Sequence, residues 1–275
     1  MKKILVPVDF SEPSTYALEV AAKIAKQQQS EIIVLHMLGL SEAVLTKDET
    51  QEFEEAKYYL GLAKKRFNSF LDKSYLKGIK ITQIVQNYKI FKELNKVAQE
   101  QHIDLIVMGS HGTSGFNEFF VGSNTEKVVR TSDIPVLVIK GPTPNFKIKN
   151  VLFACSFGAD SVWAYKKAIA FAKKFSAKLK LIYINTPYDN FLSTSEAKER
   201  FTNFMFKAGD SNLHIEIYND YSVERGVFNY SKKEQIDVLA IPTHGRKGLS
   251  HFFIGSVGED IANHSKIPVV TFRIS

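Results

Sequence analysis

Glycines and small hydroxyl residues mark one stretch of the chain, which lies between an apolar run and a helical pattern. Their spacing is Gly109-x2-Gly112-x9-Gly122-Ser123. Glycines let a backbone approach a polyanion closely, and the amides and serine hydroxyl at a helix start can donate hydrogen bonds to phosphate oxygens. The spacing matches neither the Walker loop nor the dinucleotide fingerprint G-x-G-x-x-G. The residues alone therefore leave two interpretations open, a phosphate-binding loop and a tight structural turn.

One carboxylate and two histidines are the other candidates for binding chemistry. Asp9 follows an apolar run and can bind a ribose hydroxyl or a metal ion, or can cap the helix that begins after Ser11. The imidazole of His36 is expected to point into the core or a helix interface. His111 either orients its own loop or contacts a phosphate. No cysteine or second histidine lies at a metal-binding spacing from His111, so we expect no zinc site.

Short apolar runs alternate with helical patterns along the first half of the chain. Strands are predicted at Lys3–Val8, Glu31–Leu38, Ile79–Gln86, Leu105–Met108 and Pro135–Ile139. Helices are predicted between them, at Glu12–Gln28, Asp48–Leu71, Ile90–Gln101 and Ser123–Arg130. This alternation predicts a parallel sheet with helices on both faces. Ligands bind such sheets beyond the carboxyl ends of the strands, where Asp9 and Gly109 would lie.

The second half of the chain repeats the first. Ile103-Asp104 matches Ile236-Asp237 at an offset of 133, and Tyr16-Ala17 matches Trp163-Ala164 at an offset of 147. The second copy is predicted to have strands near Asn150–Ala154, Leu179–Ile184, His214–Tyr218, Val238–Ile241 and Val269–Phe272. We therefore predict two tandem domains, at 1–142 and 148–275, joined by a linker rich in turn-forming residues.

The strand order, the opening Ile-Leu-Val-Pro-Val-Asp-Phe-Ser and the glycine spacing together resemble the universal stress protein family. The resemblance covers nearly the whole chain. It implies an α/β fold of two tandem five-stranded parallel-sheet domains, Rossmann-like or flavodoxin-like, with strand order 3-2-1-4-5. In one branch of the family it also implies a bound ATP, which would be accompanied here by Mg²⁺.

The resemblance implies a set of ATP-binding residues. Asp9 would meet the ribose or a metal-bridged phosphate, backbone groups near His36 would face the adenine, and the glycine stretch would line the ribose and phosphates. The implied set is Pro7, Val8, Asp9, His36, Met37, Met108, Gly109, Ser110, His111, Gly112, Gly122, Ser123 and Asn124.

The second copy departs from this pattern. Pro242 stands at the position of Gly109, Ser156 at that of Asp9, and Ala154 at that of Pro7. Proline lacks an amide donor, and serine lacks the carboxylate, so we expect this copy to bind ATP weakly or not at all. The stretch 156–161 also resembles a pyrophosphate loop, S-G-G-x-D-S, in which Phe157 replaces a glycine and would crowd a phosphate. We predict one ATP per chain.

Composition narrows the classes of partner and location. The net charge is +7, most of it in the second half, but no basic stripe with interleaved aromatics suggests a nucleic acid partner. No apolar run reaches the length of a membrane span or of a signal-peptide core. Cys155 is the single cysteine and cannot form an internal disulfide, which fits a reducing compartment. We expect a cytoplasmic protein with no membrane or nucleic acid partner.

These observations predict a nucleotide-binding stress or regulatory protein, whose protein partner they do not identify. One alternative is a slow ATPase, although the motifs offer no evident general base beyond Asp9. Another alternative is a nucleotide-free interaction module. The apolar last strands of the copies, Ile134–Ile139 and Ile267–Phe272, are expected to pair within one chain as a pseudo-dimer, and a further homodimer is compatible with this.

Overall fold

The fold was examined in a computed structural model. It describes residues 1–38, 49–87, 90–110, 123–188, 190–244, 261 and 264–274. The chain divides into two compact units. Unit 1 consists of residues 1–118, 122–128 and 136–143, and unit 2 of the remaining residues.

Five strands and four helices alternate through the first half of the chain. The strands are β1 (Lys3–Val8), β2 (Glu31–Leu38), β3 (Ile81–Asn87), β4 (Leu105–Gly109) and β5 (Val136–Ile139). The helices are α1 (Glu12–Gln28), α2 (Glu49–Leu71), α3 (Ile90–Glu100) and α4 (Ser123–Thr131), with a short 3₁₀ turn at Ser74–Leu76. All neighbouring strands are parallel and lie in the order β3-β2-β1-β4-β5.

The central strands of unit 1 are apolar on both faces. Every residue of β4 and β5 is buried, as are Ile4, Leu5 and Val6 of β1. Helix α1 buries a stripe that includes Leu18 and Ile24. Helices can cover both faces of a parallel sheet, which explains why its strands carry continuous apolar runs rather than alternating ones.

Local sequence signals set both ends of α1. Ser11 is its N-cap, and its hydroxyl accepts a hydrogen bond from the Ser14 amide. Proline follows in the first turn, where its missing amide has no helical acceptor in any case. The C-cap is Gln29, whose φ of 53° is left-handed and whose amide donates the last helical hydrogen bond, to the Ala25 carbonyl.

Unit 2 repeats this architecture. Its strands are β6 (Asn150–Ala154), β7 (Lys178–Asn185), β8 (Ile215–Asn219), β9 (Val238–His244) and β10 (Val269–Ile274). Its described helices are α5 (Ser161–Lys174), α6 (Thr194–Ala208) and α7 (Val223–Lys233). The strands are parallel and lie in the order β8-β7-β6-β9-β10.

The predicted α/β class with two tandem copies is confirmed, and the strand bounds differ from the predicted ones by at most three residues. The largest difference is at β9, which continues to His244 because its ladder with β10 continues to that residue. Left-handed residues also recur in both copies, and the sequence patterns did not predict them. Phe10 and Phe157 have φ values of 66° and 56°, and Gln29 and Ser176 have 53° and 54°.

Candidate functional site

The candidate site lies where β1 and β4 end, at the carboxyl edge of unit 1. Chain connectivity runs from β1 to β2 on one side and reaches β4 on the other, so the strand order reverses between β1 and β4. Ile4 pairs with Leu105 and Leu5 with Ile106, so Asp9, which directly follows β1, and Ser110, which directly follows β4, both lie at this edge. A crevice at such a reversal is where doubly wound sheets bind ligands.

Asp9 is held by the first turn of α1. Its Oδ1 accepts hydrogen bonds from the Ser11 amide at 3.0 Å, the Ser11 hydroxyl at 2.5 Å and the Ser14 hydroxyl at 2.6 Å. The Asp9 amide in turn donates to the Ser14 hydroxyl at 3.2 Å. Asp9 is therefore part of the turn that precedes α1, where it supports the Ser11 cap, and this network orients the carboxylate.

An aromatic cluster lies beside Asp9. The Phe10 ring centroid is 4.5 Å from that of His36, 5.2 Å from that of Phe67 and 5.4 Å from that of Phe70. Arg66 places its guanidinium carbon 5.9 Å from the Phe10 centroid. The backbone at Phe10 is left-handed, and its ring packs against α2. The residue directly after Asp9 is therefore fixed by apolar contacts.

His36 joins the ends of β1 and β2. Its Nδ1 donates a hydrogen bond to the Val8 carbonyl at 2.8 Å, because a carbonyl oxygen can only accept. Burial lowers the pKa of His36 below its ordinary value, against the opposing effect of the Val8 carbonyl. The imidazole thus links the second strand to the end of the first, and the neighbouring Met37 is half-buried.

Close packing explains why a glycine stands at the end of β4. A Cβ on Gly109 would lie 2.7 Å from the Pro13 carbonyl oxygen and 2.8 Å from its carbonyl carbon. The start of α1 thus packs directly on the Gly109 backbone. The Gly109 carbonyl accepts a hydrogen bond from the Thr125 hydroxyl at 2.9 Å, which holds the first turn of α4 against the end of β4.

Most of the predicted site residues lie in the part of the chain that the structure describes, and three do not. Val8, Met108 and Ser110 are buried, Pro7 is half-buried, and Asn124 is exposed in the first turn of α4. Ser123 is the first residue of α4. His111, Gly112 and Gly122 lie outside the described residues.

Sequence reasoning gave no role to three residues of this region. Phe10 anchors the turn after β1, Thr125 ties α4 to β4, and Lys140 follows β5 at the same sheet edge. Phe10 could have been found from the repeat, because Phe157 occupies its position at the offset of 147. Nothing in the sequence indicates that Thr125 reaches the Gly109 carbonyl.

The matching region of unit 2 is built differently. Phe157 is 1% exposed, and its ring centroid lies 5.1 Å from that of Phe204 and 5.5 Å from that of Phe201. The Phe157 ring therefore belongs to the core of unit 2. Pro242 lies within β9, past the residues that pair with β6, so its missing amide leaves no gap in that ladder.

A cavity of about 380 Å³ lies between the loop after β6 and helix α6 in unit 2. Its lining includes the Gly158 backbone, and it carries Glu196 and Glu199 as well as Arg200 and Lys207. Acidic and basic groups in one cavity give no net attraction for a polyanion. Cys155 is buried nearby, and burial raises the pKa of its thiol to about 12, so it is protonated at neutral pH.

The described ranges contain neither a ready-made metal site nor a candidate membrane span. Within them, no group of three or more His, Cys, Asp and Glu side chains could hold a metal ion. Mg²⁺ commonly binds through one or two carboxylates together with substrate phosphates and water, and Asp9 fits that smaller requirement. In the same part of the chain, no helix has the length and apolar character needed to cross a bilayer.

Comparison with known proteins places these features in a family. A family model described as "Universal stress protein family" matches residues 1–140 and again 147–273. Universal stress protein MJ0577 of Methanocaldococcus jannaschii is 34% identical over an alignment of 154 residues that covers 50% of this chain and 94% of that protein. Universal stress protein Slr1230 of Synechocystis is 24% identical in an alignment 295 positions long, gaps included, that covers 99% of this chain and 100% of that protein.

A solved structure reproduces the fold over the whole length. The crystal structure of a universal stress protein from Archaeoglobus fulgidus covers 99% of this chain and 96% of its own, with a TM-score of 0.63 and 21% identity. At this level of identity the likeness concerns the fold alone.

Proposed function

Because the chain belongs to the universal stress protein family, we propose that unit 1 binds one ATP with Mg²⁺ at the carboxyl edge where β1 and β4 end. The observation that carries this proposal is that Asp9 directly follows β1 and Gly109 ends β4, so that both lie at the carboxyl edge of two neighbouring parallel strands. Carboxylates accept hydrogen bonds from ribose hydroxyls, and glycine-bearing backbone approaches phosphates closely.

The position of α4 supports a phosphate site at the same edge. The amides at the N-terminus of a helix carry partial positive charge and lack acceptors within the helix. The hydrogen bond from Thr125 to Gly109 holds this helix start at the end of β4. A triphosphate whose ribose lies near Asp9 would therefore reach donors on α4, as the residues of the implied set require.

Unit 2 is proposed to bind ATP weakly or not at all. Ser156 supplies no carboxylate, and Pro242 supplies no amide at the position of Gly109. The cavity beside α6 carries charges of both signs rather than a cationic cradle. The domain bounds 1–142 and 148–275, the pairing of the two copies through their last strands and any homodimer stay predictions.

We propose that the protein acts through nucleotide-dependent binding of a protein partner, and that it is cytoplasmic, as a single cysteine suits a reducing compartment.

Slow ATP hydrolysis is the second candidate function. It has less support, because Asp9 is the sole acid among the predicted site residues and its Oδ1 already accepts three hydrogen bonds. A turnover assay with wild type and Asp9→Asn distinguishes the two, since robust hydrolysis abolished by this change would favour the enzyme.

Titration with Mg-ATP is expected to give one site per chain, with affinity about tenfold or more weaker in Asp9→Asn, which corresponds to ~1.4 kcal/mol or more. Asparagine keeps an oxygen that accepts from Ser11 and Ser14, so the helix cap is preserved while the charge is lost. Isothermal titration calorimetry measures both the stoichiometry and the affinity.

Ser156→Ala is the matched control, since it alters the equivalent position of unit 2. Its ATP affinity and stoichiometry are expected to equal those of wild type. Two sites per chain, or an Asp9→Asn chain that binds as tightly as wild type, would contradict the proposal. A wild-type chain that takes up no adenylate would favour the nucleotide-free interaction module.

A further inference from the structure

The phosphate-binding stretch proposed above has little positive charge of its own. Between Gly109 and Asn124 the sequence contains no lysine or arginine, and it contains one acid, Glu118. Backbone amides and a helix N-terminus supply partial charges, whereas a triphosphate carries several full negative charges. A cationic side chain from a neighbouring element would therefore strengthen binding considerably.

Lys140 is placed to supply that charge. It directly follows β5, in which Ile139 pairs with Gly109 of β4. The Ser110 amide donates a hydrogen bond to the Ile139 carbonyl at 3.0 Å, so the two chains are still side by side where the strands end. Residues in register on neighbouring strands project to the same face, so we expect the side chains of Ser110 and Lys140, the next pair along, to share one face of the sheet.

The amine of Lys140 is partly removed from water. Its side chain is half-buried, and burial lowers the pKa of its amine to about 8. Removal of a cation from water is unfavourable, and a nearby negative charge offsets that cost. A phosphate at the end of β4 would provide such a charge within the same unit.

We propose that Lys140 is a phosphate-binding residue of the nucleotide site of unit 1, reaching from the end of β5 to phosphates bound at the end of β4. This inference rests on the proposed function. It assigns to the lysine the recognition of the phosphate chain, while Asp9 and the backbone near His36 recognise the nucleoside.

The affinities of ATP, ADP and AMP for Lys140→Met test the proposal. Methionine keeps most of the length and apolar contact of the lysine stem but removes the charge. ATP affinity is expected to fall about tenfold or more, which is ~1.4 kcal/mol or more, with a smaller loss for AMP. Lys140→Arg is expected to recover part of the ATP affinity. Lys26→Met, which alters an exposed lysine in the last turn of α1, is the matched control and should bind like wild type.

A second measurement uses the unmodified chain and so does not depend on the folding of a variant. Acetylation of lysines by an N-hydroxysuccinimide ester, mapped by mass spectrometry, is expected to slow at Lys140 when ATP is present and to stay constant at Lys26. If wild type binds ATP while Lys140→Met binds it equally well, or if ATP leaves Lys140 acetylation unchanged, this inference alone is overturned. A wild-type chain with no affinity for any adenylate would overturn the proposed function and this inference with it.

Discussion

Phe157→Ala is expected to destabilise unit 2 by about 3–5 kcal/mol, the usual cost of removing a buried phenylalanine ring. The ring is 1% exposed and packs against Phe153, Phe201 and Phe204. Trp163 is the only tryptophan of the chain and lies on α5, which begins four residues after Phe157. Urea unfolding followed by Trp163 fluorescence therefore reports on this unit without requiring the whole chain to unfold in one step.

Phe206→Ala is the matched control for this prediction. Phe206 lies on α6 with Phe201 and Phe204, but its side chain is 84% exposed. Its replacement is expected to change stability by no more than about 0.5 kcal/mol. If Phe157→Ala were as stable as Phe206→Ala, the ring would not belong to the core, and the pyrophosphate-loop interpretation of this stretch would return. Titration of the Phe157→Ala chain with ATP would then test that interpretation.

Gly109→Ala is expected to destabilise unit 1 by about 1–3 kcal/mol and to weaken ATP binding at the same time. The new Cβ would lie 2.7 Å from the Pro13 carbonyl oxygen, which is backbone and cannot rotate away as a side chain can. Relief requires a shift of the first turn of α1, and that turn carries the Ser11 and Ser14 groups that orient Asp9. Stability and binding are therefore coupled at this position.

Hydrogen exchange measured by mass spectrometry on peptides from β1 and β4 tests this prediction, because these strands flank the altered contact. Gly141→Ala is the control, since among the described residues no atom other than those of its chain neighbours lies within 4 Å of the Cβ it would add. In this control, the free energy of protection against exchange in both strands is expected to equal that of wild type within about 0.5 kcal/mol. Equal protection in the two variants would mean that contact with Pro13 is not the reason for glycine at 109.

The elements could be predicted from local patterns because their causes are local. Apolar runs bounded by turn residues predicted β1, β2 and β6 with the bounds observed, and Ser11 with Pro13 predicted the start of α1. The repeat predicted two copies, since each copy encodes the same alternation. Bounds that depend on a partner strand were less accurate, as at β9, where the ladder with β10 determines the end.

The candidate site was only partly predictable. Its position at the carboxyl edge followed from the strand order, and the resemblance supplied the residues. The contacts that require those residue types could not be predicted from the sequence. Gly109 contacts Pro13, which precedes it by almost a hundred residues, and the Asp9 carboxylate takes part in a helix cap as well as facing the proposed ligand. Such contacts depend on how a helix packs on a sheet, which no local window of sequence contains.

The amino-acid sequence by itself determined the α/β class, the tandem repeat and the family, because periodicity, turn residues and motif spacing are properties of the chain. Tertiary structure decided what individual side chains do. Phe157, which the sequence places in a loop like one that binds pyrophosphate, turns into the core through a left-handed backbone angle. Lys140, which carries no motif, ends beside Ser110 because β4 and β5 pair in register. Both outcomes depend on burial and on distances between residues far apart in sequence, which only the packed chain defines.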